Sequence, residues 1–405
     1  MYLAELISDE KPHYPDLLIK NRASLDKFAT KSLKSNCNIK NRASPTMQKI
    51  LISGYIGFEN FGDEALLHVL IKYLVELGIQ RHDITVLSNK PDVTSSTYNV
   101  NAINRWNFFD VFNALLNHNK LIFIGGIFQD KTSFKSFIYY FLQLFFAGLF
   151  GKEVTFFGTG IGPFQRNISQ KLFNFGLKSV SLMTVRDQAS AEYIPHSNNV
   201  LITCDPAWDM EADYSFQRLI KGINWQLPVL GISLRNDKYL KSSHILSFAD
   251  KLSRIINGMK DWQIVLIPCM PQEDSPVLYE LQDLTIKKVN EPGRIIMLET
   301  FPYLSIPQQA GVLASCDAMI AMRYHALLIS LSNEKPVFGL IYDQKVKSLL
   351  DFASQVGIGF KDDIDQPWNY FWQNMQHSIE KAKLAKKKAH ELNKRNIEML
   401  KKFLG

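Results

Sequence analysis

Cationic and proton-transferring side chains follow four of the apolar runs along the chain, at the points where those runs end. They are Arg186, Arg235, the tetrapeptide Met322-Arg323-Tyr324-His325 and the tetrapeptide Tyr342-Asp343-Gln344-Lys345. A guanidinium binds phosphate or carboxylate through two parallel hydrogen bonds, and histidine exchanges a proton near neutral pH. The pattern is typical of an anion site with acid–base chemistry. Two structural alternatives stay open, an ion pair for Arg186-Asp187 and a packed core histidine for His325.

Three glycine-containing turns also follow apolar runs. The first reads SGYIGFENFGDEA and contains Gly54, Tyr55, Asn60, Gly62 and Asp63, and the other two contain Gly125-Gly126 and GTGIGP at residues 158–163. Glycines let backbone amides approach a ligand, and the N-terminus of a helix attracts anions. The first turn matches neither GxGxxG nor a Walker loop, and Asp63 could equally be a helix N-cap. Each turn is thus a candidate ligand loop or a purely structural turn.

The charge and the cysteines exclude several function classes. Residues 1–49 hold nine Lys/Arg against five Asp/Glu and residues 380–405 nine against three, so of the net +7 the ends carry +10 and the body −3. A nucleic-acid groove needs its cations on the folded body, so we expect no nucleic-acid partner. The four cysteines form no CxxC pair, and no His, Cys and acidic residues occur at metal-ligand spacing. We expect neither a metal site nor a disulfide framework.

Short apolar runs alternate with helix-length patterns over residues 47–212, which predicts βαβ units and a parallel sheet. A polar stretch at 213–228 predicts a linker, and a second alternation over 229–370 predicts a second α/β domain. The predicted fold class is therefore α/β, with two Rossmann-like domains. Loops at the carboxyl ends of parallel strands meet at one edge, so the candidate residues are expected to converge on a cleft between the domains.

The sequence patterns of the two ends of the chain differ from the alternating pattern of the body. Residues 1–46 contain IKNRAS twice without sustained periodicity, which predicts a flexible extension, and no signal peptide is visible, which favours a cytoplasmic location. Residues 371–405 predict a basic helix with an apolar stripe. That stripe could lie on an anionic inner-membrane surface or pack on the domains. Residues 137–150 are apolar but too short to cross a bilayer, so we expect a buried helix.

In combination, four ordered blocks resemble the bacterial polysaccharide pyruvyl transferase family. They are SGYIGFENFGDEALL, the GG-x-x-QD turn, GTGIGP followed by TVRDQAS and CDPAW, and MRYHALL with YDQKV, spanning roughly residues 49–350. The chain departs from the family at Ile124, where a third glycine is usual, at Thr159 and at Tyr324. The resemblance implies a GT-B-like pair of domains and phosphoenolpyruvate as the donor, with no cofactor or metal required for the chemistry.

The resemblance also implies roles for the candidate residues. Phosphoenolpyruvate carries a carboxylate and a phosphate, so its pocket needs several fixed cations. Proton delivery to its methylene carbon needs an acid, for which His325 is the candidate, and His325 is also the candidate base for the sugar hydroxyl. We expect catalysis by His325 and Arg323, and donor binding by Arg186, Arg235, Arg323, Tyr324 and Lys345. We expect Gly54, Tyr55, Asn60, Gly62, Asp63, Gly125 and Gly126 to hold a saccharide acceptor, either lipid-linked or nucleotide-linked.

Two other function classes stay open at this point. A nucleotide-sugar glycosyltransferase of the GT-B type would share the domains and the glycine turns, but it does not need an Arg-x-His pair with separated cations. A binding protein that keeps the fold without catalysis is the other. Consumption of phosphoenolpyruvate or of a sugar nucleotide separates the two enzymes.

Overall fold

Two parallel β-sheets form the centre of the protein. The computed structural model describes residues 48–195, 199–259 and 261–405, so the predicted extension at 1–46 lies outside the described residues. The first sheet has the strand order β3-β2-β1-β4-β5-β6-β7. Its strands are β1 (Ile50–Ile56), β2 (Ile84–Ser88), β3 (Asn101–Asn104), β4 (Lys120–Phe123), β5 (Glu153–Thr159), β6 (Val180–Val185) and β7 (Val200–Ile202).

The second sheet has six parallel strands in the order β10-β9-β8-β11-β12-β13. They are β8 (Val229–Ser233), β9 (Gln263–Leu266), β10 (Ile295–Met297), β11 (Ala318–Ala321), β12 (Val337–Ile341) and β13 (Val356–Gly359). In both sheets the first strand lies beside a later one, β1 beside β4 and β8 beside β11, so the direction of winding reverses there. Such a reversal opens a crevice at the carboxyl edge of a parallel sheet. The predicted α/β class with two domains is confirmed.

The helices cover the faces of both sheets, as crossover connections between parallel strands require. Those that surround the first sheet are α1 (Phe61–Glu76), α2 (Pro91–Tyr98), α3 (Phe108–Asn117), α4 (Phe134–Leu149), α5 (Asn167–Gly176) and α6 (Gln188–Ala191). Those of the second are α7 (Ser242–Gly258), α8 (Pro271–Ile286), α9 (Ile306–Ser315), α10 (Tyr324–Ser332), α11 (Gln344–Ala353) and α12 (Asp365–Gln373), and α13 (Met375–Leu404) ends the chain.

The segment predicted as a linker, 213–228, is not a free tether. It contains a 3-10 turn at Tyr214–Arg218, whose Phe216 is buried, and the backbone N–H of Asp213 donates to the carbonyl of Pro307 in the first turn of α9. The connection between the sheets is therefore anchored to the second domain by packing and a hydrogen bond.

The C-terminal helix α13 packs on the protein itself. The apolar stripe of the predicted basic helix is buried at Ala382, Ala385, Ala389, Leu400 and Phe403. The helix returns to the first domain, where the ammonium of Lys120 donates to the carbonyl of Phe403. Of the two interpretations of this stripe, packing is the one observed, and the stripe is not available to a membrane.

Helix α4 corrects a second expectation. Its inner side is buried at Phe137, Tyr140, Phe141, Leu144 and Ala147, but Leu142 and Leu149 are exposed on the outer side. The run at 137–150 is therefore a half-buried helix rather than a buried one, and its outer apolar side faces solvent. Among the described residues, no helix is both long and apolar enough to cross a membrane.

Candidate active site

A cleft of about 740 Å³ lies between the carboxyl edges of the two sheets. Segments that follow β1, β4, β5 and β6 line it from the first domain, and segments that follow β8, β9, β11 and β12 line it from the second. The cleft brings together Tyr55, Asn60, Gly62, Asp63, Gly126, Arg186, Arg235, Arg323, Tyr324, His325 and Lys345. Eleven of the thirteen residues predicted for the site therefore line one cavity.

Gly54 and Gly125 lie behind the cleft wall. A Cβ on Gly54 would come within 2.8 Å of the Ile124 side chain, and one on Gly125 within 3.0 Å of the Asp63 carboxylate. Neither residue lines the cavity. Their place in the structure is thus explained by close packing, and the prediction that they contact an acceptor has no geometric support.

His325 enters the cleft from the first turn of α10, directly after β11. A Cβ placed on Gly62 would lie only 1.9 Å from Nδ1 of His325, so the imidazole fits against α1 because residue 62 is glycine. The imidazole also contacts the ring of Tyr324, with centroids 5.0 Å apart and the rings nearly perpendicular. His325 therefore lies where the two domains meet.

Asp205 is the carboxylate partner of His325. Nε2 of His325 lies 3.6 Å from Oδ2 of Asp205, which is wholly buried after β7. Burial alone would raise the pKa of Asp205, but His325, Arg186 and the N–H of Ala207 outweigh it and lower that pKa. At 3.6 Å the carboxylate faces the imidazole beyond hydrogen-bond distance, and the buried Nε2 of His325 has no hydrogen-bond partner among the described residues. The arrangement places a carboxylate beside the candidate proton donor.

Helix α13 fixes the loop that carries Asp205. Asn393 and Asn396 are wholly buried. Nδ2 of Asn396 donates to the carbonyl of Cys204 (3.0 Å), and Nδ2 of Asn393 donates to that of Pro206 (3.4 Å). The backbone on both sides of Asp205 is therefore held by the last helix of the chain.

Asp63 is a further titratable group in the cleft. The N-cap of α1 is Asn60, whose Oδ1 accepts from the N–H of Gly62 and whose Nδ2 donates to Asp63 (2.7 Å), so the N-cap interpretation of Asp63 is wrong. Burial raises the pKa of Asp63 to about 6, against the opposing effects of His325, Lys345 and Arg186. A carboxyl group with this pKa can exchange a proton near neutral pH.

Arg186 is buried beside the His325–Asp205 pair. Its Nη1 lies 3.5 Å from Oδ2 of Asp205, its Nε lies 3.3 Å from Asp187, and its guanidinium stacks on the ring of Tyr324 at 4.7 Å. The ion pair with Asp187 exists, as the structural alternative proposed, yet the same guanidinium lines the cleft. The ring of Tyr324 therefore contacts both Arg186 and His325.

Arg323 does not enter the cleft as a free cation. Its Nε donates to both oxygens of the buried Asp274 at 3.0 Å, and its Nη2 donates to Glu273 at 3.0 Å and also contacts Asp274. Glu273 also lies 3.4 Å from Nη2 of Arg235. Two acids on α8 therefore already neutralise part of the charge of the arginines that were predicted for the donor pocket.

Lys345, unlike the arginines of the cleft, forms no ion pair with a carboxylate of the described residues. Among the described residues none forms an ion pair with it, whereas Arg186, Arg235 and Arg323 all face carboxylates. Burial would raise the pKa of Tyr342, but Lys345, Arg235 and Arg323 outweigh burial and lower that pKa. A phenol that ionises more easily despite burial marks a positive potential. The space beside Tyr342 is therefore suited to an anion.

The N-terminus of α10 adds backbone donors on the same side of the cleft. Its N-cap position is Arg323, which makes no side-chain capping hydrogen bond, and Tyr324, His325 and Ala326 of the first turn line the cavity. Uncapped N–H groups and the helix dipole attract an anion. Lys345 and this helix end therefore both favour an anion on this side of the cleft.

Sequence reasoning missed four groups that complete the site. Asp205 had a signal, since it follows a strand and lies in the block CDPAW. Glu273 and Asp274 had none, because their importance comes from contacts with Arg323 across 49 or 50 positions of sequence. Lys131 follows the GG-x-x-QD turn and donates to Asp343 at 2.8 Å, which joins the two domains across the cleft.

Within the described chain, no group of three His, Cys, Asp or Glu residues could hold a metal ion.

Two parallel α/β domains with a polar cleft between their carboxyl edges define a GT-B-like protein. A sequence model of the polysaccharide pyruvyl transferase family matches residues 60–344, which is well over half of the chain and includes every predicted residue of the cleft except Tyr55 and Lys345. The chain belongs to this family and is a transferase. The resemblance seen in the sequence is confirmed.

Solved structures agree on the fold. A UDP-GlcNAc 2-epimerase from Neisseria meningitidis bound to UDP-GlcNAc matches with a TM-score of 0.60 and 13% identity, over 87% of this chain and 99% of that one. MnaA from S. aureus with UDP gives 0.58 and 13%, over 83% and 91%. HepE from Anabaena with UDP and glucose gives 0.55 and 13%, over 87% and 99%. At this identity the similarity establishes the fold alone.

Proposed function

We propose that the protein transfers the pyruvyl group of phosphoenolpyruvate to two hydroxyls of a saccharide, forms a cyclic ketal and releases phosphate. The observation that carries the proposal is the convergence of His325, Asp63 and Lys345 on one cleft of a polysaccharide pyruvyl transferase family member. These three residues supply the three functions that the reaction needs, namely a proton donor, a proton acceptor and an unpaired cation.

In this proposal the donor binds beside the second domain. Lys345 and the N-terminus of α10 take one anionic group of phosphoenolpyruvate, in the region whose positive potential lowers the pKa of Tyr342. Arg323, which is hydrogen-bonded to Asp274, forms part of the wall of this pocket. Its Nη1 has no hydrogen bond to another described residue and is available to donate to the donor substrate. No step is assigned to a cofactor.

His325 and Asp63 divide the proton transfers. His325 delivers its proton to the methylene carbon of phosphoenolpyruvate, and the first sugar hydroxyl bonds to the adjacent carbon as Asp63 takes its proton. The phosphate oxygen then leaves with the proton held by Asp63. The second hydroxyl bonds to the same carbon and returns a proton to His325, which restores the starting state.

The acceptor binds on the side of the first domain, near Tyr55 and Gly126. Tyr55 lines the cleft, and its ring is stacked on that of Phe58 with centroids 4.0 Å apart. Flat aromatic surfaces of this kind bind the apolar faces of sugar rings. The GT-B-like neighbours solved with UDP or UDP-sugar support a nucleotide-linked saccharide as one acceptor class.

Phosphate release tests the proposal. Purified protein is incubated with phosphoenolpyruvate and a panel of UDP-hexoses, lipid diphosphate-linked saccharides and simple glycosides. We expect phosphate release that depends on one acceptor and falls about 10²–10⁴-fold in His325→Gln. His377→Gln, which alters an exposed histidine of α13, is the matched control and should leave the rate unchanged. Equal rates in the parent and His325→Gln, or consumption of a sugar nucleotide as donor, would refute the proposal.

A further inference from the structure

The outer side of α3, α4 and α5 carries a continuous row of aromatic rings. The row runs from Phe175 on α5 to Phe145 (6.2 Å between centroids), then to Phe146 (5.5 Å) on α4, and on to Phe112 (5.7 Å) and Phe108 (5.9 Å) on α3. Together with Phe109, Leu142 and Leu149 we call it the aromatic face. It is one patch that spans three helices.

This patch faces solvent. Phe109 is 76% exposed, Leu149 65% and Phe175 52%, although the inner sides of the same helices are buried against the first sheet. Soluble proteins seldom expose large contiguous apolar patches, and such patches commonly mark interaction sites. The aromatic face therefore needs an occupant.

The charge around the aromatic face indicates which occupant it fits. Over residues 106–118, 133–152 and 165–179, which contain these helices and their ends, five Lys/Arg stand against one Asp. The ammonium of Lys178 lies 5.5 Å from the centre of the Phe175 ring, and Lys135 and Lys171 are exposed on α4 and α5. The centres of protein–protein interfaces are poor in lysine, whereas rings and leucines mixed with lysines are typical of surfaces that bind anionic lipid.

We propose that the aromatic face docks on a bilayer that contains anionic lipid. The rings and leucines enter the boundary between headgroups and acyl chains, and the lysines contact the lipid phosphates. This surface is distinct from the apolar stripe of α13, which is buried on the protein. Docking does not depend on any reaction in the cleft.

Helix α4 connects this surface to the cleft. Its Ser136 and Tyr140 line the cavity, whereas Leu142 and Leu149 of the same helix lie on the aromatic face. A docked protein therefore holds the cleft close to the lipid surface. For the acceptor class, which rests on the proposed function, this favours a saccharide carried on a lipid diphosphate.

Vesicle binding by the full chain tests the docking directly. The protein is sedimented with vesicles of phosphatidylcholine alone or with phosphatidylglycerol added, at low and at high salt. We expect binding to the anionic vesicles that is at least tenfold stronger than to the neutral ones and that weakens with salt. No binding to the anionic vesicles, or equal binding to both kinds, would overturn the proposal.

Two sets of variants locate the surface. Phe109→Ser with Leu149→Ser should reduce vesicle binding at least tenfold, whereas Tyr303→Ser with Leu384→Ser, which removes two comparably exposed apolar side chains elsewhere, should not. Lys171→Glu with Lys178→Glu should also reduce vesicle binding at least tenfold, whereas Lys383→Glu with Lys387→Glu on α13 should not.

Undiminished vesicle binding in both sets of variants on the aromatic face would overturn the proposal. So would light scattering that shows a dimer broken by Phe109→Ser with Leu149→Ser, because a second copy would then be the occupant.

Discussion

Asp63→Asn is predicted to make the protein more stable and less active. Burial raises the pKa of Asp63 from 3.8 to about 6, so the ionised carboxylate is less favourable in the folded chain than in the unfolded chain. A difference of roughly two pKa units at 1.36 kcal/mol each corresponds to at most about 3 kcal/mol. Loss of a favourable helix-dipole interaction offsets about 0.5–1 kcal/mol of this. We therefore expect a gain of about 2 kcal/mol in the free energy of unfolding at pH 8.

The pH dependence of this gain follows from linkage. Because the folded pKa of Asp63 lies above its unfolded value, the cost of the carboxylate is fully present above about pH 6 and disappears as the pH falls toward 3.8. Urea midpoints of the parent and Asp63→Asn should therefore differ at pH 8 and converge near pH 4. The parent's kcat should fall as the pH drops through about 6, because protonated Asp63 no longer accepts a proton.

A matched control exists in α3. Asp110 occupies the same position after an asparagine N-cap as Asp63, because Asn107 caps α3 as Asn60 caps α1, but Asp110 is exposed. Asp110→Asn should lower stability by a few tenths of a kcal/mol at every pH, through the helix dipole alone. The reasoning is refuted if Asp63→Asn is less stable than the parent at pH 8, or if the difference between them does not change with pH.

Two further substitutions test how the cleft is built. Gly62→Ala would place a Cβ 1.9 Å from His325 Nδ1 and displace the ring, so kcat should fall about a hundredfold and overpacking should cost about 1–3 kcal/mol of stability. Gly293→Ala, with open space around its Cβ, should leave both unchanged. Arg323→Ala leaves the buried Asp274 without its ion-pair partner, so urea unfolding should show a loss of about 3–5 kcal/mol, and an unchanged midpoint would contradict the assigned pairing.

Much of the fold could be predicted because the strands of both sheets are short apolar runs. Two strands, β3 and β13, escaped prediction, and each lies at one edge of its sheet. In β3 the sequence Asn-Ala-Ile-Asn is polar, and in β13 Val-Gly-Ile-Gly alternates with glycine. An edge strand needs less apolar surface than a central one, so its sequence carries a weaker signal.

The convergence of the site could also be predicted, because the carboxyl ends of parallel strands meet at one edge. The ion pairs and contacts between side chains within the site could not be predicted. Whether Arg323 binds a ligand or Asp274 depends on how α8 packs beside β11, and the contact of Asp205 with His325 depends on how the two domains meet. For α13, amphipathic spacing indicated that one side would be covered but carried no information on whether protein or lipid would cover it.

The most direct test of the central claim is calorimetric titration with phosphoenolpyruvate. We expect one molecule to bind per chain, with affinity at least tenfold weaker in Lys345→Ala and unchanged in Lys347→Ala, whose ammonium is exposed and pairs with Asp351. Inorganic phosphate should compete with phosphoenolpyruvate for the site. Phosphoenolpyruvate binding that is equally strong in Lys345→Ala, or absent from a folded parent protein that binds UDP-sugars, would contradict the assignment of this cleft to pyruvyl transfer.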